Sequence, residues 1–236
     1  NNGEEDEVPV TGSDNKSYTM TVPKQQINHQ KIVWDNSLYL HNGGRLGLTL
    51  GYQLNQRREF GEVLAPNTPG LYLHLQTFNY ALKYYLPEMK GWQTTVGVNG
   101  MQQTNENKGE EFLIPGYSLF DFGAFAVTSK TFDKLTLSGG LRFDNRSMNS
   151  KALFLDADGK PANTGDSKFD AFKRNFSNVS GSVGISYEAS EAVVLKLNAA
   201  RGFRAPNIAE LSANGVHEGT IKYEYGNQDL KPEVST

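Results

Sequence analysis

Apolar and polar residues take turns along eight stretches of this chain. The period is two, the spacing that sends successive side chains to opposite sides of a β-strand. Between 45 and 55, Leu46, Leu48, Leu50, Tyr52 and Leu54 fall on one side, and Gly47, Thr49, Gly51, Gln53 and Asn55 on the other. Over 134–144, Leu135, Leu137, Leu141 and Phe143 oppose Thr136, Ser138, Arg142 and Asp144. Residues 178–187 set Val179, Val183, Ile185 and Tyr187 against Asn178, Ser180, Ser182 and Ser186, and 193–200 set Val193, Leu195, Leu197 and Ala199 against Lys196 and Asn198. Fainter versions occupy 26–40, 72–86, 91–103 and 118–129. The pattern predicts an all-β chain of about eight strands, most of them long enough for the roughly 9–11 residues that cross a bilayer.

The connections between these stretches alternate in length. Short turns fall at 41–44, 87–91, 129–133 and 188–192, and long polar connections at 58–71, 104–117, 146–172 and 204–230. In an antiparallel up-and-down meander, strict alternation places every long loop at one rim and every short turn at the other. That is the arrangement of a transmembrane β-barrel, with extracellular loops and periplasmic turns. Tyr52, Tyr84, Phe143, Tyr187, Trp34 and Trp92 are candidates for two interfacial girdles, because amphipathic rings favour the headgroup level. Ordinary packed aromatics are the alternative.

Composition agrees with a barrel wall. The 236 residues are 37% hydrophobic and 11% aromatic, carry 24 glycines and no cysteine, and have a net charge of −3. A mean hydropathy of −0.53 does not argue against membrane embedding, since alternation halves the apolar share. No apolar run approaches the roughly 20 residues of a membrane helix. Without cysteine there is neither a disulfide framework nor a thiolate metal site.

The motifs of enzymes are missing. His29, His41, His74 and His217 have no partner four residues away, and neither a G-x-S-x-G elbow nor a phosphate-binding loop occurs. No catalytic residue, resident cofactor or metal site is expected. The 23 Lys and Arg are mixed with 26 Asp and Glu, so no basic stripe points to nucleic acid. Asp156, Asp158 and Gly159 look like the start of a calcium loop but lack its twelfth-position glutamate, and read as a hairpin turn. Glu4, Glu5, Asp6 and Glu7 make 1–24 an acidic loop segment ahead of a barrel domain spanning 25–236.

The last forty-odd residues carry a specific signature. A strand ends in Gly202-Phe203-Arg204-Ala205-Pro206 with Glu210-Leu211 after it, and the chain returns through Gly226-Asn227, Leu230, Pro232 and Glu233. In order and spacing these residues resemble the GFRAP…EL and GNxxLKPE motifs of TonB-dependent outer-membrane receptors. The resemblance is specific over 193–233 and rests on strand pattern and loop asymmetry over 25–192. It implies an internal piece of the barrel domain, with a plug domain and final strands outside this sequence, located in the cell outer membrane. It further implies capture of a scarce ligand of the iron-siderophore, haem or cobalamin type, and import driven through the TonB complex.

Each motif residue also has a physical reason. Pro206 ends strand pairing, Asn207 to Leu211 suit one short helical turn, Arg204 can pair with Glu210, and Leu230 and Pro232 precede a new strand. Two readings stand: the motif fixes a loop over the barrel mouth, or it touches ligand. Arg57, Arg58, Tyr117, Tyr223 and Tyr225 are the candidate ligand contacts, offering rings and charges near the long loops. Two rival architectures stay open, a small closed eight-stranded barrel acting as adhesin or structural anchor, and a soluble all-β binding module. A partial wall of this kind is expected to contact outer-membrane lipid, and to self-associate through its edges or curl.

Overall fold

The computed structural model describes residues 11–13, 16–18, 20–217 and 222–236. The acidic run Glu4 to Glu7 lies outside them. In chain order, six long strands come first: β1 (Lys24–Tyr39), β2 (Arg45–Phe60), β3 (Leu71–Tyr85), β4 (Trp92–Asn107), β5 (Tyr117–Phe132) and β6 (Leu135–Ser150). Three short strands follow, β7 (Leu153–Leu155), β8 (Pro161–Ala162) and β9 (Asp166–Phe169), and then the long β10 (Phe172–Ser190) and β11 (Val193–Arg204). The chain ends with α1 (Ile208–Ser212), β12 (Asn214–His217), β13 (Lys222–Tyr225) and β14 (Glu233–Ser235).

Among the described residues, the eight long strands and β14 form one antiparallel sheet in the order β1-β2-β3-β4-β5-β6-β10-β11-β14. All eight predicted stretches are strands. The ninth member, β14, pairs with Gly202–Arg204 and so joins the two halves of the terminal motif.

The sheet is curved but not closed. Ala81 and Lys83 of β3 line the same cavity as Ser182 of β10 and Ala200 of β11, which marks the face they share as concave. Among the described residues β1 pairs only with β2, and β14 only with β11, which departs from a small closed eight-stranded barrel.

Register carries one face across every strand. Leu50 lies between Trp34 and Tyr80, and Leu141 between Ala126 and Gly181, so the apolar rows of successive strands meet on the convex side. Those rows are uncovered: Leu141 is 67% exposed and Val183 64%, although both sit in the middle of the sheet with paired neighbours. A soluble sandwich would bury these rows against a second sheet. The convex stripe runs from Leu46 to Leu54 on β2 and from Leu135 to Phe143 on β6, about 20 Å of height once strand tilt is allowed for.

Aromatic rings mark both ends of this stripe. Tyr84, Trp92 and Tyr187 lie at the short-turn end, where Phe132 meets Trp92 edge-on at 6.4 Å. Tyr52 and Phe143 lie at the other end, beyond which the convex positions turn to Gln56, Arg58, Asn145 and Ser147. Trp34 is the exception, placed inside the stripe opposite Leu50.

Strands continue past the predicted ends toward the long-loop rim, with β2 reaching Phe60 and β6 reaching Ser150. The loops also carry more structure than the hairpin turn expected within 146–172 and the one helical turn expected within 204–230. Between β6 and β10, the strands β7, β8 and β9 make a small three-stranded sheet of their own. The turn from β7 to β8 is built on Asp156, whose carboxylate accepts the amides of Asp158 and Lys160 at 3.0 and 2.9 Å, with Gly159 at φ +75°. Between β11 and β14 come α1 and the β12–β13 hairpin.

Candidate functional site

The concave face changes character along its height. At mid-strand it is a hydrogen-bonding wall. Arg146 donates through Nε and Nη2 to the two oxygens of Asp121 at 2.9 and 2.8 Å, a fork that fixes both side chains. Arg142 donates from Nε to Asp144 at 2.7 and 2.8 Å and from Nη1 to Asn99 at 2.8 Å. At their partial exposure such pairs contribute about 1 kcal/mol or less each, so their effect is orientation more than stability. A cavity of about 450 Å³ opens between these groups and Arg204–Ala205.

Toward the long-loop rim the same face becomes apolar. Tyr117, Leu119, Met148 and Phe176 point into the concavity, and α1 folds back to place Ile208 and Leu211 on them. Leu211 is 0% exposed and Met148 1%, among the most deeply buried large side chains of the described residues. Burying Ile208 and Leu211 of α1 contributes about 1.5–3 kcal/mol each to holding the loop inside the mouth.

The terminal motif supplies the geometry of that docking. Pro206 is buried where the strand ends, and Asn207 caps α1. The Asn207 Oδ1 accepts the Glu210 amide at 2.9 Å while Glu210 Oε2 accepts the Asn207 amide at 2.8 Å, a reciprocal capping box. Arg204 then ties three segments together. Its Nη1 donates to Glu210 at 2.8 Å, and its Nη2 and Nε donate to Glu233 at 2.9 and 3.1 Å. The Arg204 guanidinium, followed by the Asn207 amide, holds the Glu210 carboxyl below the usual carboxylate range.

The second half of the motif closes on the first through backbone. Gly226 donates its amide to the Ala213 carbonyl at 2.7 Å, and Asn227 donates to the Glu210 carbonyl at 2.8 Å. A Cβ at Gly226 would run into the Ser212 amide nitrogen, so only glycine allows this approach. Asn227 turns the chain by accepting the Asp229 amide at 2.9 Å, and the Leu230 carbonyl accepts from Arg174 at 3.4 Å. Phe203 pairs with Val234, and Pro232 directly precedes β14. The motif residues thus bond chiefly to one another.

The five candidate ligand contacts are not brought together. Arg57 faces the concave side and pairs with Glu59. Arg58, one residue on, faces the convex side and stacks on Tyr72, its guanidinium 4.5 Å from the ring centre. Tyr117 is buried beneath α1, donating its hydroxyl to Gln103 at 2.9 Å. Tyr223 and Tyr225 stand on the β12–β13 hairpin, 60% and 83% exposed. Sequence reasoning missed Asp121, Arg142, Asp144 and Arg146 as site residues, because they alternate like any strand residues. It also missed Asn214, whose partners come from separate loops. Among the described residues no cluster of His, Asp or Glu is placed to hold a metal ion.

Comparison with known proteins agrees with this architecture. No curated protein matches the sequence. Among solved structures, the copper transporter OprC superposes with a TM-score of 0.61 at 14% identity, over 88% of this chain and 35% of that one. The Serratia marcescens hemophore receptor HasR, solved with its hemophore HasA and heme, gives 0.43 at 17% identity over 89% of this chain and 40% of that one. The ferric yersiniabactin uptake receptor FyuA from Yersinia pestis gives 0.47 at 13% identity over 89% and 31%. The chain therefore spans about a third of the length of these structures. The family profile described as TonB dependent receptor-like, beta-barrel matches residues 5–236, and the chain belongs to that family of receptors and transporters, which are not enzymes.

Proposed function

We propose that this chain forms part of the barrel wall of an outer-membrane receptor that binds a scarce small molecule at its outer mouth and imports it. The cargo proposed is a metal chelate of the iron-siderophore, haem or cobalamin type. Energy comes from the TonB complex, acting through the plug domain that the family resemblance implies. The observation that carries the reading is the docked loop: a motif-bearing segment, held by Arg204 and Leu211, lies inside the concave mouth above a wall of fixed hydrogen-bonding groups. Convex apolar rows bounded by aromatic rings support a lipid-facing exterior.

The test is made in the full-length receptor. Deleting residues 205–230 should weaken binding of ferric siderophore, haem or cobalamin probes by at least about tenfold, on the magnitude of losing several anchoring contacts. Wild-type binding of one such probe, with unchanged affinity after the deletion, would remove the loop from the binding site. Abolishing the proton gradient or the TonB protein should leave binding in place and stop uptake.

A further inference from the structure

Three of the long connections meet above the strand wall in a cleft of about 390 Å³. Phe112 and Leu113 come from the β4–β5 connection, Lys168 from the β7–β9 sheet, Val216 and Tyr223 from the β12–β13 hairpin, and Leu71 from the start of β3. Asn214 joins the three loops. Its amide donates to the Leu113 carbonyl at 2.9 Å, its Nδ2 donates to the Lys168 carbonyl at 2.9 Å, and its Oδ1 accepts the Tyr223 hydroxyl. Leu71, Phe112 and the neighbouring Phe169 are buried, so the walls are anchored from below. A cleft with walls fixed in this way loses little ordering entropy when a ligand enters.

Within it Lys168 is half-buried and, among the described residues, forms no ion pair; the Phe169 ring centre lies 6.0 Å from its ammonium. Burial pushes its pKa below the usual lysine range. A partly desolvated cation without a counterion is relieved by an anion that brings its own apolar surface. Glu110 and Glu111 also line the cleft, but both are exposed where Lys168 is half-buried, so solvent screens their repulsion, and it limits the ligand to a single negative charge.

We propose that this cleft binds a small aryl monocarboxylate, with the carboxylate on the Lys168 ammonium and the ring between Phe112 and Tyr223. Such binding goes beyond the transport reading and requires nothing of the cargo. It is tested by fluorescence titration of the detergent-solubilised full-length receptor with 1-naphthoate and with its neutral amide, 1-naphthamide. The acid should bind at least about tenfold more tightly than the amide, on the strength of a charge-assisted hydrogen bond. Lys168→Met should remove that preference and Lys168→Arg should retain it, with thermal unfolding reporting that both variants fold. Equal affinity of the two probes for the wild-type receptor, or no binding of either, would overturn the proposal without touching the transport reading. An unchanged preference in a folded Lys168→Met variant would overturn it as well.

Discussion

Leu211→Ala tests whether the motif loop is held in the mouth by the packing described. Leu211 is 0% exposed and sits among Tyr117, Leu119, Met148 and Phe176 on a concave wall that cannot collapse without bending paired strands. Truncating a leucine in such a site costs about 2–4 kcal/mol, the transfer of its methyl groups plus the cavity left behind. The strand ladders do not pass through this residue, so the loss falls on local loop opening and not on global unfolding. An opening equilibrium raised by that amount means amide exchange about 30- to 1,000-fold faster in 207–213 and 224–230. The assay is hydrogen exchange by mass spectrometry on the full-length receptor in detergent. Strand peptides such as 135–143 should keep their protection. Exchange of the loop within about threefold of wild type would show that Leu211 does not hold it.

Gly226→Val should open the same loop by a different route, because its Cβ meets backbone of α1; the overpacking cost of about 1–3 kcal/mol would appear as faster exchange and easier proteolysis near 224–230. Acid should also release the loop. Arg204 holds the Glu210 carboxyl below its ordinary value, so its contribution to docking is complete above the undocked pKa and is lost as pH falls through the lower, docked value. Limited proteolysis from pH 7 to pH 3 should show release in the acid part of that range, and Glu210→Gln should weaken docking at neutral pH and flatten the dependence. Leu141→Arg places a charge at mid-stripe on the convex face and should destabilise the receptor in lipid by about 2–4 kcal/mol in urea unfolding, whereas Ser182→Arg on the concave face should cost less than about 1 kcal/mol.

The strands were legible because a sheet with one apolar and one polar face writes that difference into alternate positions such as Leu135 to Phe143. Their upper ends were not. Above the apolar stripe the convex positions are Gln56, Arg58, Asn145 and Ser147, so alternation fades although backbone pairing continues. The helical turn after Asn207 and the Arg204–Glu210 pair follow from local spacing and could be read directly. The packing of Leu211 on Met148 and Phe176 joins residues far apart in the chain, and no local pattern announces it. The same is true of Asn214, an ordinary polar residue until Leu113 and Lys168 are brought beside it. Arg58 shows the converse: proximity to a long loop made it a candidate contact, while a single step along the strand turns it to the convex face against Tyr72.

Side-chain environment along one pair of strands tests the central claim most directly. The chain has no cysteine, so single cysteines can be placed without background at Leu137, Ser138, Leu197 and Asn198 and spin-labelled in the full-length receptor, provided the remainder is also made cysteine-free. In lipid bilayers, labels at Leu137 and Leu197 should collide preferentially with dissolved oxygen, and labels at Ser138 and Asn198 with a water-soluble nickel chelate. Equal exposure at all four positions, or oxygen preference at Ser138 and Asn198, would contradict a wall with lipid outside and water within.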